Sequence, residues 1–532
     1  MTVTAILPAL VLLPGMLSAQ TPAAKPGSVE GAVSNSVTGE PIKKAMVSLG
    51  GKYTATTDAA GHFHFDDVAS GAYAMGADKD GFQEPNLGWG QPTATVAEGQ
   101  HVQDVALKLV PFGSASGHVL DEDGDPIARA QIMVLRYFYS QRGKQLTGVT
   151  GIQSNDLGEF EATMPPGRYY FQATAWPPQN IPPRTRWTRP EEAYPPVFYP
   201  NASEVAQATV INVAAGAHLN NIDFRLHKMP AYHIRGKVSD KAAGQRIGGV
   251  EVERSGLMFG TNVAGSPIES DGSFDVRGLV SDSYKVTYTQ FASGRSFNTY
   301  QTVRVTDADV DGVALTQKPA VTVSGTVTAE GSQLQKLDVQ VSLSPVNAMD
   351  QGGEGVTSAD GTFAIANVAP ETFDLQISNV PPGKYVKSIR FGDRDANNGL
   401  IDLTAGSSPP VNIVLGEDGA EVDGTVQNTS GQPVAATEVI LAPAEEYGSR
   451  WDLSKRAVTD PSGNFKIKDV APGEYKVFAW ESDPEGSAQS AEFRKAFENR
   501  SGAVTVGPKD KASVQVSVIT SDDVAKEMSK LP

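Results

Sequence analysis

Residues 459–477 read TDPSGNFKIKDVAPGEYKV, and the phrase keeps returning along the chain. It appears as TDAAGHFHFDDVASGAY from Thr57 and TSADGTFAIANVAPETFDL from Thr357, and more loosely as SNDLGEFEATMPPGRYY from Ser154 and ESDGSFDVRGLVSDSYKV from Glu269. Such a phrase is either a repeated site or a repeated piece of scaffold, and its residues decide which. Asp460 and Ser462 are short polar side chains of the kind that bond turn backbone, and Gly463 accepts a positive φ without strain. Phe465, Ile467 and Val470 then fall close to alternation, which makes one face of a strand apolar. Pro472 and Gly473 supply the next turn, and Tyr475 and Val477 resume the alternation. The phrase therefore predicts a β-hairpin with an aromatic on each arm: Phe465 and Tyr475 here, Phe63 and Tyr73 in the first copy.

The recurring acid also argues for scaffold. Asp58, Asp156, Asp271, Asp360 and Asp460 stand one to three residues before the turn glycines Gly61, Gly158, Gly272, Gly361 and Gly463. A base or a metal ligand must hold its place to a fraction of an ångström. Positions that drift suit a turn.

Each copy also has an opening and a close. The opening is a strand through Gly31, Gly117, Gly236, Gly325 or Gly424, followed by a turn and a second alternating strand, as in VEGAVSNSVTGEPIKKAMVSL from Val29. The close is a pair of short strands around a polar turn, as in AVTVGPKDKASVQVSVI from Ala503. Many short alternating strands with turn signals between them predict an all-β protein, a tandem array of five Greek-key β-sandwich domains of Ig-like character. The expected division is residues 28–110, 111–228 with an insertion at 175–200, 229–318, 319–416 and 417–520, then a tail at 521–532 that frays or makes one helical turn. Neighbouring domains are expected to touch end to end.

Bulk composition agrees and excludes several functions. The chain has 532 residues, too many for one hydrophobic core, and is rich in Gly (53) and Pro (35) with no long helical pattern. A net charge of −17 without a Lys/Arg run argues against a nucleic-acid partner, since phosphate contacts need clustered cations. With no cysteine there is no disulfide, thiolate metal site or cysteine nucleophile. An apolar run at residues 5–17, with small residues at Ser18 and Ala19, suits a signal peptide over residues 1–20. Export to the periplasm, the outer-membrane surface or the medium follows, with no transmembrane segment in the mature chain.

The strand with Gly and Val, the G-x-P-[IV] turn, the D-x-x-G-x-F phrase and P-G-x-Y together resemble the carboxypeptidase regulatory-like domain. Gly39-Glu40-Pro41-Ile42, Gly124-Asp125-Pro126-Ile127 and Gly431-Gln432-Pro433-Val434 carry the turn. The third copy departs most, with Gly244-Gln245-Arg246-Ile247 in place of the proline turn. The resemblance implies a seven-stranded prealbumin-like sandwich, close to carbohydrate-binding-like folds, that is non-catalytic in zinc carboxypeptidases. No enzyme domain is expected alongside the repeats here.

Few residues offer chemistry. None of the seven histidines begins an H-E-x-x-H run, and His62 and His64 share a strand face that would hold a metal only with a third ligand. Residues 121–126 (DEDGDP) and Asp393, Asp395 and Asn397 look faintly like calcium loops but fit a turn and a polar loop. No cofactor, metal or catalytic residue is expected. The strongest departure from the repeat is the second-copy insertion, where Trp176, Trp187, Tyr194, Phe198 and Tyr199 sit among prolines with Arg184, Arg186 and Arg189. Aromatics on a proline-held loop can stack on sugar rings, so Trp176, Trp187, Tyr194, Tyr199 and Arg186 are the candidate ligand-binding residues, unless the loop folds over a sandwich edge. Trp89 and Trp451 are single loop aromatics with packing roles. The expected protein is a non-enzymatic spacer or adhesion module with a polysaccharide or cell-surface polymer as partner. The alternatives are an accessory of a carboxypeptidase system and a partner of an outer-membrane protein.

Overall fold

The computed structural model describes residues 25–85, 93–141, 143–175, 191–239, 249–255, 262–292, 295–330, 338–346, 352–448, 450–482 and 484–531. The expected signal peptide lies outside the described residues. The chain divides into two compact units, one of Met1–Pro85 with Gln91–Val110 and one of Asn86–Gly90 with Pro111–Pro532.

The first unit sets the plan. Its strands are β1 (Gly27–Asn35), β2 (Met46–Leu49), β3 (Tyr53–Thr56), β4 (His62–Val68), β5 (Gly71–Asp78), β6 (Phe82–Gln83), β7 (Thr93–Val96) and β8 (His101–Pro111). One sheet runs β4-β1-β8-β6 and the other β3-β2-β5-β7. β1 is antiparallel to β4 but parallel to β8. Alternation along each strand points Val29, Val33, Phe63 and Phe65 of one sheet at Val47, Leu49 and Met75 of the other, and all are buried.

This arrangement corrects the hairpin expectation. The two arms of the repeated phrase, β4 and β5, lie in different sheets and do not pair. Phe63 packs on Phe65 and Tyr73 on Tyr53, at 5.8 and 5.9 Å between ring centroids, so the two aromatics form no cross-strand pair. Asp67 has a positive φ of 53°, as do its counterparts Gly278, Asn367 and Asp469 at 76°, 56° and 56°. Asp, Asn and Gly tolerate that left-handed conformation, which puts a bulge near the end of the strand, just before the chain crosses to the facing sheet. A hairpin and a crossing of this kind both need two alternating strands and a turn.

The plan recurs along the second unit. In the second copy β9 (Gly113–Leu120) lies beside β12 (Glu159–Met164), while β10 (Gln131–Ser140) pairs with β11 (Gly143–Gln153) and β13 (Gly167–Ala175). Tyr232–Ser239, Val321–Ala329 and Ala420–Gln427 open the remaining copies, each with one antiparallel and one parallel neighbour. The opening glycines have a shared reason. A Cβ on Gly31, Gly236, Gly325 or Gly424 would stand 1.9–2.1 Å from a backbone oxygen of the parallel strand, and one on Gly117 2.2 Å from the Ile222 oxygen between two short parallel strands, so only glycine lets the chains meet.

Contacts within the second unit do not run only between neighbours. The second copy meets the third through Glu191 and His233 at 3.1 Å, and Phe297 of the third joins the buried cluster of the fourth. The fourth meets the fifth where Arg450 donates to the Asn397 carbonyl at 2.8 Å. The fifth then returns to the second: the rings of Tyr139 and Phe493 lie 5.0 Å apart, and the Lys144 amide donates to Glu492 at 2.8 Å. The second unit closes on itself, where a string of copies touching end to end was expected. The tail is also more ordered than expected, because α2 (Ser521–Met528) is held by a Thr520/Asp523 capping box and buries Val524.

Candidate binding surfaces

A repeated site would lie in the repeated phrase. In every copy the residue three before the turn glycine closes the turn: Asp58, Asn155, Glu269, Ser358 and Asp460 accept the glycine N–H at 2.8–3.1 Å. Where that residue is Asp58, Asn155 or Asp460, its side chain also takes the amides two and four residues on, at 2.8–2.9 Å. In the second copy Asn155 has this role, and the neighbouring Asp156 does not. In the third and fourth copies the acid sits next to the glycine, and Asp271 and Asp360 take the amide and hydroxyl of Ser273 and Thr362 instead. These hydrogen bonds hold the carboxyls of Asp271, Asp360 and Asp460 below the usual aspartate range. The drift along the sequence is an exchange between two positions of one turn.

The residue that opens the phrase has a role the sequence reading missed. The hydroxyls of Thr57, Ser154 and Thr459 are buried, donate to the carbonyls of Ile42, Ile127 and Val434 at 2.6–2.8 Å, and accept an amide from the start of the second strand. A hydroxyl at one fixed place in the repeat was the available signal. It ties the first loop to the second sheet.

Neither histidine pair nor acidic run gathers into a site. His62 and His64 are both exposed, and His64 bonds Asp66 at 2.8 Å, which raises its pKa. Asp121 accepts the amides of Asp123 and Asp125, and Asp395 those of Asn397, as turn residues do. Among the described residues no group of three or more His, Cys, Asp or Glu is placed to hold a metal.

Of the candidate residues in the second-copy insertion, Trp176, Trp187 and Arg186 lie outside the described residues. Tyr194 and Tyr199 follow them onto a strand, β14 (Glu192–Phe198), and its end; β14 pairs with β13. Tyr194 is half-buried with the Lys228 ammonium 5.7 Å from its ring, and burial pushes its phenol pKa up. Tyr199 stands edge-on to the buried Phe224 at 5.9 Å, and Phe198 is fully enclosed. The described end of the insertion thus extends a sheet, with Tyr194 and Tyr199 packed on the main core and Phe198 on the outer face, where it joins Leu135 and Tyr170 in a second apolar cluster. Trp451, expected to pack, is 55% exposed and donates to Gln141 at 2.7 Å.

The fifth copy has an insertion at the same place in the plan, between its fifth and sixth strands, at residues 481–501. It contains α1 (Ala491–Lys495), capped by Ser490, and lays Phe493 and Phe497 on Phe478 and Trp480. The sequence reading found no helix here. The signals were a serine cap and Phe493 and Phe497 four residues apart. The strand they cover gave a further sign, since Val477, Phe478, Ala479 and Trp480 are apolar without a break, as in strands buried on both faces.

Residues 28–109 and 421–518 match the carboxypeptidase regulatory-like domain family. No curated protein matches. Among solved structures, the major pilin subunit of Bacillus cereus aligns over 93% of this chain and 99% of its own, at 11% identity and a TM-score of 0.15. The Bacillus anthracis TIE protein aligns over 77% and 74% at 9% identity and 0.15, and the RrgB pilus protein of Streptococcus pneumoniae over 70% and 91% at 8% and 0.13. None of the three superposes as a whole. Among the described residues no helix is long and apolar enough to cross a membrane.

Proposed function

We propose that the chain, with carboxypeptidase regulatory-like domains at residues 28–109 and 421–518, is an exported, non-catalytic module of five such sandwiches. It acts as a structural or adhesive element that engages a surface polysaccharide. The observation that carries this reading is the use of the repeated polar turn residues: Asp58, Asn155, Asp271, Asp360 and Asp460 bind their own turns, and the copies differ in the connection between the fifth and sixth strands. A scaffold repeated in this way leaves recognition to the parts that vary. The leader-like run at residues 5–17 supports export. The aromatic and arginine content of residues 176–199 supports a carbohydrate contact there, made by Trp176, Trp187, Arg186 and the exposed parts of Tyr194 and Tyr199.

The test is a cell-wall polymer and glycan array probed with the mature chain and with a Trp176→Ala/Trp187→Ala double variant. Binding by the first and not the second is the expected result. Binding that survives in the double variant removes the insertion from the reading. Protease treatment of intact cells that leaves the protein uncut removes the surface location.

A further inference from the structure

The outer face of the last sandwich has a recess that the scaffold does not explain. A pocket of about 310 Å3, within the size range of small-molecule sites, lies between the sheet and the insertion. Its floor is Ala442, Lys476, Phe478, Ala503 and Thr505, and α1 supplies Ala491, Arg494 and Lys495 above it. Three cations line it, and two are matched: Lys476 pairs with Glu498 at 2.6 Å and Lys495 with Glu445 at 2.9 Å.

Arg494 is different. It is 8% exposed and makes no close ion pair among the described residues, with the Glu445 carboxylate acting on it only from a distance. One nitrogen, Nη1, donates to the carbonyls of Ala488 and Gln489, both at 2.8 Å, while Nε and Nη2 have no such bonds. Burial pushes its pKa down to about 10, so it is still charged at neutral pH. A buried guanidinium facing a pocket with donors to spare is a ready partner for a carboxylate, which it can grip by two parallel bonds.

We propose that this pocket binds the carboxylate-bearing ring of an acidic saccharide, with Arg494 gripping the carboxylate. A saccharide fits better than a peptide end for two reasons. The central floor strand, Gly473–Trp480, pairs on both sides, so its backbone is not open to a peptide. The rim alternates donors and acceptors, Lys476, Glu498, Lys495, Glu445 and Thr505, as sugar hydroxyls require. The site is separate from the second-copy insertion and stands whether or not that insertion binds polymer.

The test titrates the full chain with digalacturonate, its methyl ester and acetyl-alanyl-alanine by calorimetry. Digalacturonate binds, the neutral ester binds about tenfold or more weakly, and Arg494→Met weakens digalacturonate by a similar factor. Ala503→Trp fills the floor from an exposed position and abolishes binding with Arg494 still in place. The Trp176→Ala/Trp187→Ala variant binds digalacturonate as the parent does. Equal binding of acid and ester, binding unchanged by Ala503→Trp, tighter binding of the peptide, or no binding of digalacturonate each overturns the proposal.

Discussion

The first and last copies match the same domain family and bury the same core, yet their second sheets show opposite outer surfaces. In the first copy the outward pair is Ser48 opposite Gly76, with Met46 opposite Asp78 beside it. In the last, the same places hold Ile440 opposite Phe478 and Glu438 opposite Trp480. Met46 and Asp78 face water, whereas Ile440, Phe478 and Trp480 are each 1% exposed under α1 and α2. One fold thus carries either a wet face or a second core. The inward positions make the sandwich, and the outward positions decide what it can carry.

Trp480 offers the sharpest way to break the comparison. Trp480→Ala removes a ring stacked on Phe478 and Phe493 and should cost about 3–5 kcal/mol, read as lost hydrogen-exchange protection over Gly473–Trp480. Asp78→Ala, at the matching place in the first copy, should stay within about 0.5 kcal/mol. Equal losses would mean that the insertion adds no core. Gly31→Ala and Gly424→Ala test what the two copies share. A Cβ there meets a backbone oxygen at 2.0 Å in both, so each should cost about 1–3 kcal/mol, by the same readout on β1 and Ala420–Gln427. A large difference between the two would show that the parallel pairing is not a common requirement.

The hydroxyls of Tyr73 and Tyr475 refine the contrast. Each donates to the carbonyl four residues back, at 2.8 and 2.9 Å, but Tyr475 is buried and Tyr73 is only half covered. Tyr475→Phe should cost about 1 kcal/mol in chemical unfolding of the full chain, because it leaves a buried carbonyl unpaired. Tyr73→Phe should cost less, since water replaces the lost donor.

The sequence revealed the core more readily than the surfaces, for a physical reason. Alternation of Phe465, Ile467 and Val477 is local, and it identifies strands wherever they go. It does not say which sheet receives the second strand, so the crossing between β4 and β5 looked like a hairpin. The turn glycines at positive φ, such as Gly61 and Gly463 at 77° and 76°, were readable because nothing else fits there cheaply. The pairing of Tyr139 with Phe493 was not, since residues so far apart leave no periodic trace. Arg494 sat unnoticed in a short helix whose role depends on the outer face it covers. That face was written in the unbroken run Val477–Trp480 rather than in any motif.

The smallest expected effect concerns the second cover of that face, α2. Burial raises the Asp523 pKa, but the Thr520 hydroxyl and amide, at 2.7 and 3.1 Å, and the Arg500 guanidinium, at 2.6 Å, outweigh it and hold the carboxyl below the usual aspartate range. A group with a depressed folded pKa contributes its stability above the unfolded value, and that contribution is lost as pH falls through the folded one. Protection of residues 521–528 should therefore be full at neutral pH and decline as the solution is made more acidic than the ordinary aspartate range. The size is a fraction of about 1 kcal/mol, because the pair is partly exposed to water. Thr520→Ala removes the cap, lowers protection at neutral pH and flattens the acid decline. A decline of the same depth in the parent and the variant would assign it to other carboxylates. It would also leave α2 held by Val524 and Met528 on that apolar face and by the bonds of Ser521 to Glu481 and Ser482, with no share for the capping acid.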